Sequence, residues 1–532
     1  MKNYLKVIVL LFVAVCAPNL RAQTGDEEVE VARTIAGHAI YAKSMHFDHR
    51  IYQISGMADD SYFCVSFRDL NKKETFYKNK GYIALYRQGL LQPEWTKEIN
   101  YMKQSIYPND YGVLFYDSSK RKTEQLSLTD GLSLWTTKAN TMVYLNNSAK
   151  RLLAYENINS KKLVMTNLET GEKLATLDVP HDNSWGWNDI YDMDSTHIIC
   201  IANNINQIDL EKGTMKFHEA KTGFVDTKSA ILQGLLMVAT AAAGAMVGGA
   251  YIPMGYNTVS DNVVTGVTSQ IYEQDSLFYI ADRQEVMCLN RELSEVWTTK
   301  LPSRLASKSI LFGNDTTLYM LNLGFGLRGG RTLKKTGRPF IAAFNRKTGR
   351  QLFLNQLTSK KDVVEDAFAT PDHVFMLFDD GLAYQSNLND SIVNIIPWDK
   401  KTHGKLYCLV KEEVYGFHQG DKMFTPLAYD GFNCPVMNDS AHVFVVDRQL
   451  NIRDHYLSKE IYIPVAETEN YKVVGQLRHD KDAHTDFWII QTDGIPVGHI
   501  TWPCREIGIV NNTLMLVDDH SLIRLPVSNL LE

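Results

Sequence analysis

The chain reads as all-β, a β-propeller of four-stranded antiparallel blades, and three observations predict this. One phrase returns along it: a small polar or acidic turn, then four to six apolar, β-prone residues. It appears as Asp60-Ser61 before Tyr62-Phe63-Cys64-Val65, as Asp194-Ser195-Thr196 before His197-Ile198-Ile199-Cys200, and as Asp315-Thr316-Thr317 before Leu318-Tyr319-Met320-Leu321. The phrase recurs at roughly 35 to 60 residues, the period of a repeat architecture. The clearest units also divide into four short strands bounded by Gly, Asp, Asn or Ser, as hairpin chemistry requires. One runs Trp187 to Met193, Thr196–Ala202, Asn206–Leu210 and Thr214–Glu219; another runs Val267–Glu273, Leu277–Ala281, Glu285–Asn290 and Glu295–Leu301. Ten or eleven units can be marked between Met45 and Leu531. Common propellers have about 4–8 blades, so one ring of about seven or eight blades with some units split is the expectation. Two rings are the alternative.

The elements follow in chain order. Residues 1–22 carry the pattern of a secretory signal: Lys2 and Lys6, an apolar run from Val7 to Ala17, and a small residue at the cut after Leu20-Arg21-Ala22. The run is too short to span a bilayer, which takes about 20 apolar residues. The expectation is a propeller over 23–532, exported to the periplasm or associated with the outer membrane. Lipid attachment at Cys16, after Val13-Ala14-Val15, is the rival reading. Glu28–Ala32 alternate polar and apolar residues, with Val29 and Val31 on one face, and offer an outer strand to the last C-terminal blade. Such a strand would remove an exposed edge.

With 55 basic and 61 acidic side chains the chain is nearly balanced, which argues against a nucleic-acid-binding stripe. Six cysteines follow the signal: Cys64, Cys200, Cys288, Cys408, Cys434 and Cys504. None forms a C-x-x-C pair, and the first four lie in apolar strand phrases, as buried thiols do; a Cys434–Cys504 bridge is the alternative.

Two segments carry a family resemblance. Leu163-Val-Met-Thr-Asn-Leu-Glu-Thr-Gly171-Glu-Lys-Leu and Phe340-Ile-Ala-Ala-Phe-Asn-Arg-Lys-Thr-Gly349-Arg-Gln-Leu resemble the repeat of quinoprotein-like (PQQ-like) β-propellers. The family includes the propeller lipoprotein of outer-membrane barrel assembly. The tryptophan that often follows the Thr-Gly turn is absent, with Ala175 and Phe353 near its place. The resemblance implies the fold and not the quinone, so no cofactor is expected.

Between the unit ending near Glu219 and the one starting near Val267 the pattern breaks. An Ala/Gly-rich insertion over 225–264 contains 24 uncharged residues, Ser229 to Ile252, preceded by Lys228 and followed by Pro253. Its composition favours helix, weakened by glycines, and Gly244-Ala-Met-Val-Gly248 is a small-x-x-x-small face. A single membrane crossing would put the units on either side of it in different compartments, so they could not share a ring. Three readings are open: a helix or helical hairpin covering one face of the propeller, a docking element for a partner, or insertion into one leaflet of a membrane surface. Leu235, Leu236, Met237, Gly244, Met246 and Gly248 are its candidate docking residues.

Candidate chemistry is sparse. In His181-Asp182-Asn183-Ser184-Trp185-Gly186-Trp187-Asn188-Asp189, the indoles of Trp185 and Trp187 share a face if the segment is extended. Flanked by Asp182 and Asp189, they suit a sugar ring; packing between blades is the plainer reading. Gly324-Phe-Gly326-Leu-Arg-Gly329 matches G-x-G-x-x-G, but a dinucleotide site needs a helix next, and here a basic loop follows through Arg331, Lys334, Lys335 and Arg338. A hairpin loop, with weak contact to anions or lipid headgroups as the alternative, is expected. Asp130-Gly131 reads as a hairpin turn. His479-Asp480-Lys-Asp482-Ala-His484-Thr-Asp486 lacks the glycine and final glutamate of a calcium loop and fits no zinc spacing. His46 and His49, three apart, face opposite sides of a strand. No metal site is expected.

No G-x-S-x-G, H-E-x-x-H or Cys–His signature is present. The expected function is therefore a non-enzymatic binding or scaffolding protein of the cell envelope. It would dock to a protein partner or membrane surface through 229–252, with carbohydrate as a further candidate ligand and no nucleic acid. A propeller enzyme acting on glycans, or a PQQ-type dehydrogenase, is the alternative.

Overall fold

The computed structural model describes residues 23–225 and 263–526, apart from internal stretches of nine residues or fewer, the longest being 180–188 and 477–485. Residues 1–22 and 226–262 lie outside the described residues, and with them the helix expected of the insertion.

Several turns do what their chemistry dictates. At four of them an Asp or Asn side chain accepts from the backbone two and three residues on, which stops one strand and aims the next. Asp194 Oδ1 accepts from Thr196 N and His197 N, and Asn314 Oδ1 from Thr316 N and Thr317 N. Asn345 Oδ1 accepts from Lys347 N and Thr348 N, and Asn167 Oδ1 from Glu169 N and Thr170 N. Strands then run up and down beside one another. In the unit after residue 188, Asp189–Asp192 is half-buried, His197–Ile201 and Ile205–Asp209 are buried, and Thr214–His218 is mostly exposed. A strand order with two buried middle strands and one solvated outer strand is that of a propeller blade.

Among the described residues there are nine separate four-stranded antiparallel sheets: a smaller one of Phe224–Val225, Val263–Thr265, Phe325–Arg328 and Thr332–Lys335, and eight blade-like ones within 51–100, 104–137, 141–178, 189–218, 272–300, 309–356, 364–397 and 406–457. Two more form parts of an eleven-stranded sheet. One is Ile461–Glu467, Tyr471–Gln476, Phe487–Gln491 and Pro496–Ile500; the other is Glu506–Val510, Thr513–Val517 and Ser521–Pro526 with the N-terminal strand Ala39–His46. Ten blade-like units exceed the seven or eight expected of one ring. The expectation supposed that blades had been split in the marking, whereas the irregular stretches are whole blades interrupted by hairpins. Phe325–Arg328 with Thr332–Lys335 interrupts one, and Tyr415–His418 with Met423–Pro426 interrupts another; each hairpin joins a different sheet from the blade it leaves.

The chain forms two compact units, one of 1–137, 412–427 and 456–532, the other of 138–411 and 428–455. In the second, successive sheets pack face to face through shared apolar layers. Leu153, Leu163 and Met165 of the 141–178 sheet meet Ile198, Cys200 and Ile208 of the next. Ile199 and Ile201 on that sheet's other face meet Phe278, Ile280 and Met287. The series continues through the 309–356, 364–397 and 406–457 sheets. In the first unit, the eleven-stranded sheet packs on the 51–100 sheet through Met515, Val517, Phe63 and Val65, and that sheet packs on the 104–137 sheet through Ile83, Leu85, Val113 and Phe115. At about 25 cal/mol per Å² of apolar surface removed from water, these layers are the main force ordering the strands.

A tryptophan joins neighbouring blades at the Thr-Gly turns. Trp297, on an outer strand, donates its indole N–H to Arg346 O of the next sheet at 2.9 Å and lies against Gly349. Gly349 sits at φ +70°, and a Cβ there would come within 2.5 Å of the indole. The residue type missed after the Thr-Gly turn at Ala175 and Phe353 is thus supplied at Trp297, four residues past Leu293, which takes the same left-handed position (φ 57°) as the turn glycines.

The N-terminal strand expected to complete the last blade is found one strand along. Ala39–His46 pairs with Ser521–Pro526, while Gln23–Thr34, which contains Glu28–Ala32, pairs with Ala39–His46 and reaches the preceding blade through Ala32↔Ile500 and Arg33↔His499. Cys434 and Cys504 form no disulfide, against the alternative raised above; both are buried.

Candidate functional site

Of the four proposed ligand residues, Asp182, Trp185 and Trp187 lie outside the described residues. Asp189 opens the strand Asp189–Asp192 and accepts from Ile190 N at 2.9 Å. Its carboxylate acts on Lys308, whose ammonium is pushed down by burial and back up by Asp189. The six docking residues of the insertion, Leu235, Leu236, Met237, Gly244, Met246 and Gly248, also lie outside the described residues, as do His479, Asp480, Asp482 and His484. His46 and His49 are not brought together: His46 Nδ1 lies 3.2 Å from Ser521 Oγ, and His49 Nδ1 lies 3.2 Å from Asp69 Oδ2. Among the described residues no group of three or more His, Cys, Asp or Glu is placed to hold a metal ion, and no helix is long and apolar enough to cross a membrane.

The root of the insertion is well defined. Phe224–Val225, just before it, and Val263–Thr265, just after it, pair antiparallel with Phe224 opposite Val264 and Val225 opposite Val263. Opposed residues in such a ladder have Cα atoms about 4.5–5.5 Å apart, so the chain leaves and returns at one place. Val264 then pairs with Arg328 and Thr265 with Leu327. Within the G-x-G-x-x-G segment, Phe325–Arg328 is thus a strand paired with Thr332–Lys335, where a loop was expected; Gly329 lies outside the described residues. Gly326 suits the strand because an added Cβ would lie 2.7 Å from Val264 Cγ1.

One cation packs on this root. The Arg283 guanidinium lies over the Phe224 ring at 3.7 Å, a cation–π contact. Burial lowers its pKa, and the charge of Arg304 lowers it further. Leu301 N donates to Gln284 O, and Arg338 N donates to Leu305 O, which ties the Arg283, Arg304 and Arg338 loops together. Lys335 is 3.9 Å from Asp362. Sequence reasoning noticed Arg338 but missed Arg283 and Arg304, because only the strand register brings those loops to Phe224.

A second constellation lies in the first unit. Asp486 Oδ2 accepts from Tyr462 Oη at 2.6 Å and Trp488 Nε1 at 2.9 Å, while Oδ1 is 2.6 Å from His499 Nε2. Burial raises the Asp486 pKa, but the bonds from His499, Tyr462 and Trp488 outweigh it and the carboxyl is held below its ordinary range. A carboxylate that fixes an imidazole this way can orient it for proton transfer.

No family model matches the chain, and no curated protein matches it. Among solved structures similar to it are BamB from Moraxella catarrhalis (11% identity, 88% of this chain and 100% of that one, TM-score 0.33), apo AztD from Citrobacter koseri (8%, 71% and 91%, TM-score 0.31) and the computationally designed Ika8 protein (9%, 72% and 95%, TM-score 0.31).

Proposed function

We propose that this chain is an exported, non-enzymatic β-propeller that serves as a binding and scaffolding protein of the cell envelope, and that it docks to a partner or a membrane surface through residues 229–252. The observation that carries the reading is the paired root: Val225 and Val263 are ladder neighbours, so the excursion between them is an appendage to a finished sheet. A single membrane crossing would have to separate these two residues by a bilayer, which their pairing forbids. The insertion is uncharged over 24 residues, and an apolar segment of that length needs a cover. Leu235, Leu236, Met237, Gly244, Met246 and Gly248 would meet that cover. The secretory pattern of residues 1–22 supports export, and the PQQ-like repeat of 163–174 and 340–352 supports a place among quinoprotein-like propellers without the quinone.

The pairing also supplies the test. Residues 226–262 can be replaced by a short Asn-Gly hairpin turn, which suits antiparallel strands. The shortened protein should fold with its thermal midpoint close to that of the parent, yet no longer co-purify with its partner or sediment with envelope membranes. Failure to fold would make the segment core and end the docking reading. A second reading, a propeller enzyme, is favoured only by the Asp486–His499 pair. Hydrolysis of glycan substrates by the parent and its absence in Asp486→Asn would establish it.

A further inference from the structure

A short loop of the first unit holds an arginine that no acid answers. Tyr62–Phe67 ends just before Arg68, and the chain returns as Lys80–Arg87. The loop between them is folded tightly on itself. Leu70 pairs with Tyr77, Asn71 N donates to Phe76 O, and Asn71 Oδ1 accepts from Lys73 N and Thr75 N. Three tyrosines surround its base: Arg68 Cζ lies 5.3 Å from the centre of the Tyr52 ring, 5.4 Å from Tyr77 and 5.0 Å from Tyr101. The rings brace one another edge-on, Tyr52 meeting Tyr77 at 5.1 Å and Tyr101 at 5.4 Å. The Tyr101 hydroxyl is itself anchored, 3.2 Å from Phe67 O and 3.3 Å from Tyr82 O. Arg68 Nε donates to Lys78 O at 2.6 Å.

Only the outer end of Arg68 is left unused. Its two terminal nitrogens have no protein partner among the described residues and are open to solvent. Asp69 does not answer it, being engaged by Arg50 N at 3.1 Å, His49 Nδ1 at 3.2 Å and Lys78 Nζ at 3.5 Å. A guanidinium held among rings has little rotamer freedom left to lose, and its fork matches the two oxygens of a carboxylate. Residues 68–80 also carry five Lys or Arg against two acids, in a chain whose net charge is −6. At the tip Phe76 is 74% exposed, more than any other large apolar side chain among the described residues. Arginine, tyrosine and phenylalanine are the residues that protein interfaces favour, and rigid arginines and aromatics carry most of their binding energy.

We propose that the 68–80 loop is a docking site for an acidic peptide segment of a protein partner, with one carboxylate seated on Arg68 and a neighbouring apolar side chain on Phe76. Lys72 and Lys73, both exposed and in no ion pair among the described residues, steer the acidic segment in. The site lies apart from the insertion in sequence and does not rest on the docking reading above.

The test is fluorescence anisotropy of a short labelled peptide of Glu and Ala with one central Phe, titrated with the purified protein. The expected result is binding that high salt weakens and that a control peptide with Gln for every Glu lacks. Arg68→Gln should weaken it about tenfold to a hundredfold, the range of a hydrogen bond to a charged group. Arg68→Lys should recover only part of the loss, since an ammonium keeps the charge without the fork. Arg68 also ties the loop through Lys78 O, so Phe76→Ala, at an exposed tip, supplies a variant that leaves the fold alone and should lose about tenfold. Lys72→Gln/Lys73→Gln should slow association with little change in the dissociation rate. Equal binding of the Glu and Gln peptides, or parental affinity in a folded Arg68→Gln or in Phe76→Ala, would overturn the proposal. Arg68-dependent binding of an oligogalacturonate in place of the peptide would make this a site for an acidic sugar and also overturn it.

Discussion

Replacing Gly349 by Ala tests the contact that couples two blades. Gly349 sits at φ +70°, where an L-residue costs about 1–2 kcal/mol. The new methyl would approach Trp297 Cε3 to 2.5 Å and Cδ2 to 2.6 Å, too close for any real contact. The indole must move, and its bond to Arg346 O, worth about 1 kcal/mol net, goes with it. Repacking a buried ring adds about 1–2 kcal/mol. The sum is about 3–5 kcal/mol. Trp297→Ala alone should cost about 3–5 kcal/mol through its cavity. In the Trp297→Ala background the methyl meets no ring and only Thr299 Oγ1 at 3.0 Å, so Gly349→Ala should cost little beyond the backbone part, about 1–2 kcal/mol, and the coupling should be about 2–3 kcal/mol. Urea unfolding of the parent, both single variants and the double variant measures this cycle. If Gly349→Ala costs the same with and without the indole, the blade contact described here is not what the glycine serves.

Other expectations follow from single features. Asp486 has a depressed carboxyl pKa, so its contribution is present above the unfolded value of about 3.9 and is lost as pH falls through the folded value; urea midpoints between pH 5 and 2 should fall less steeply in Asp486→Asn than in the parent. Burial pushes the Cys64, Cys200 and Cys504 thiols up to about 12, so native protein should react slowly with an aromatic disulfide reagent, with the half-buried Cys408 first, and all six thiols of the chain from Gln23 should titrate in urea; fewer than six would reveal a disulfide. Arg121, exposed at φ 50°, should be improved upon by Gly, with Arg121→Gly raising stability by about 1 kcal/mol in the same urea assay.

The blades were legible because their signals are local. Asp194, Asn314, Asn345 and Asn167 bond to backbone within three residues, so the turn and the strands beside it are written in adjacent letters. The strand alternation of Glu28–Ala32 was legible too, but its partner was not. Whether it paired with Ser521–Pro526 or with Pro496–Ile500 depends on Ala39–His46 taking the place between. The marking of ten or eleven units agrees with the ten blade-like sheets, but the hairpins that leave one blade for another sheet were not legible, since Phe325–Arg328 looks the same in sequence whichever neighbour it meets. The same limit applied to sites. Asp486 lay at the end of a segment read as a polar turn, and nothing local shows that His499, thirteen residues on, returns to its carboxylate. A bulge between Ile489 and Ile490 shifts the register in between. Arg283 and Phe224 are 59 positions apart in the sequence (283 − 224) and meet only through the fold.

The pairing of Ala32 with Ile500 and of Ser44 with Ile523 links the first and last portions of the chain across nearly its whole length. During synthesis the earliest segment must wait, its edge unsatisfied, until the final residues arrive. Contacts of such range form slowly and leave unpaired strands open to wrong partners. Both partners of this seam must be present for either edge to be satisfied, so removing one strand leaves the other with an open ladder.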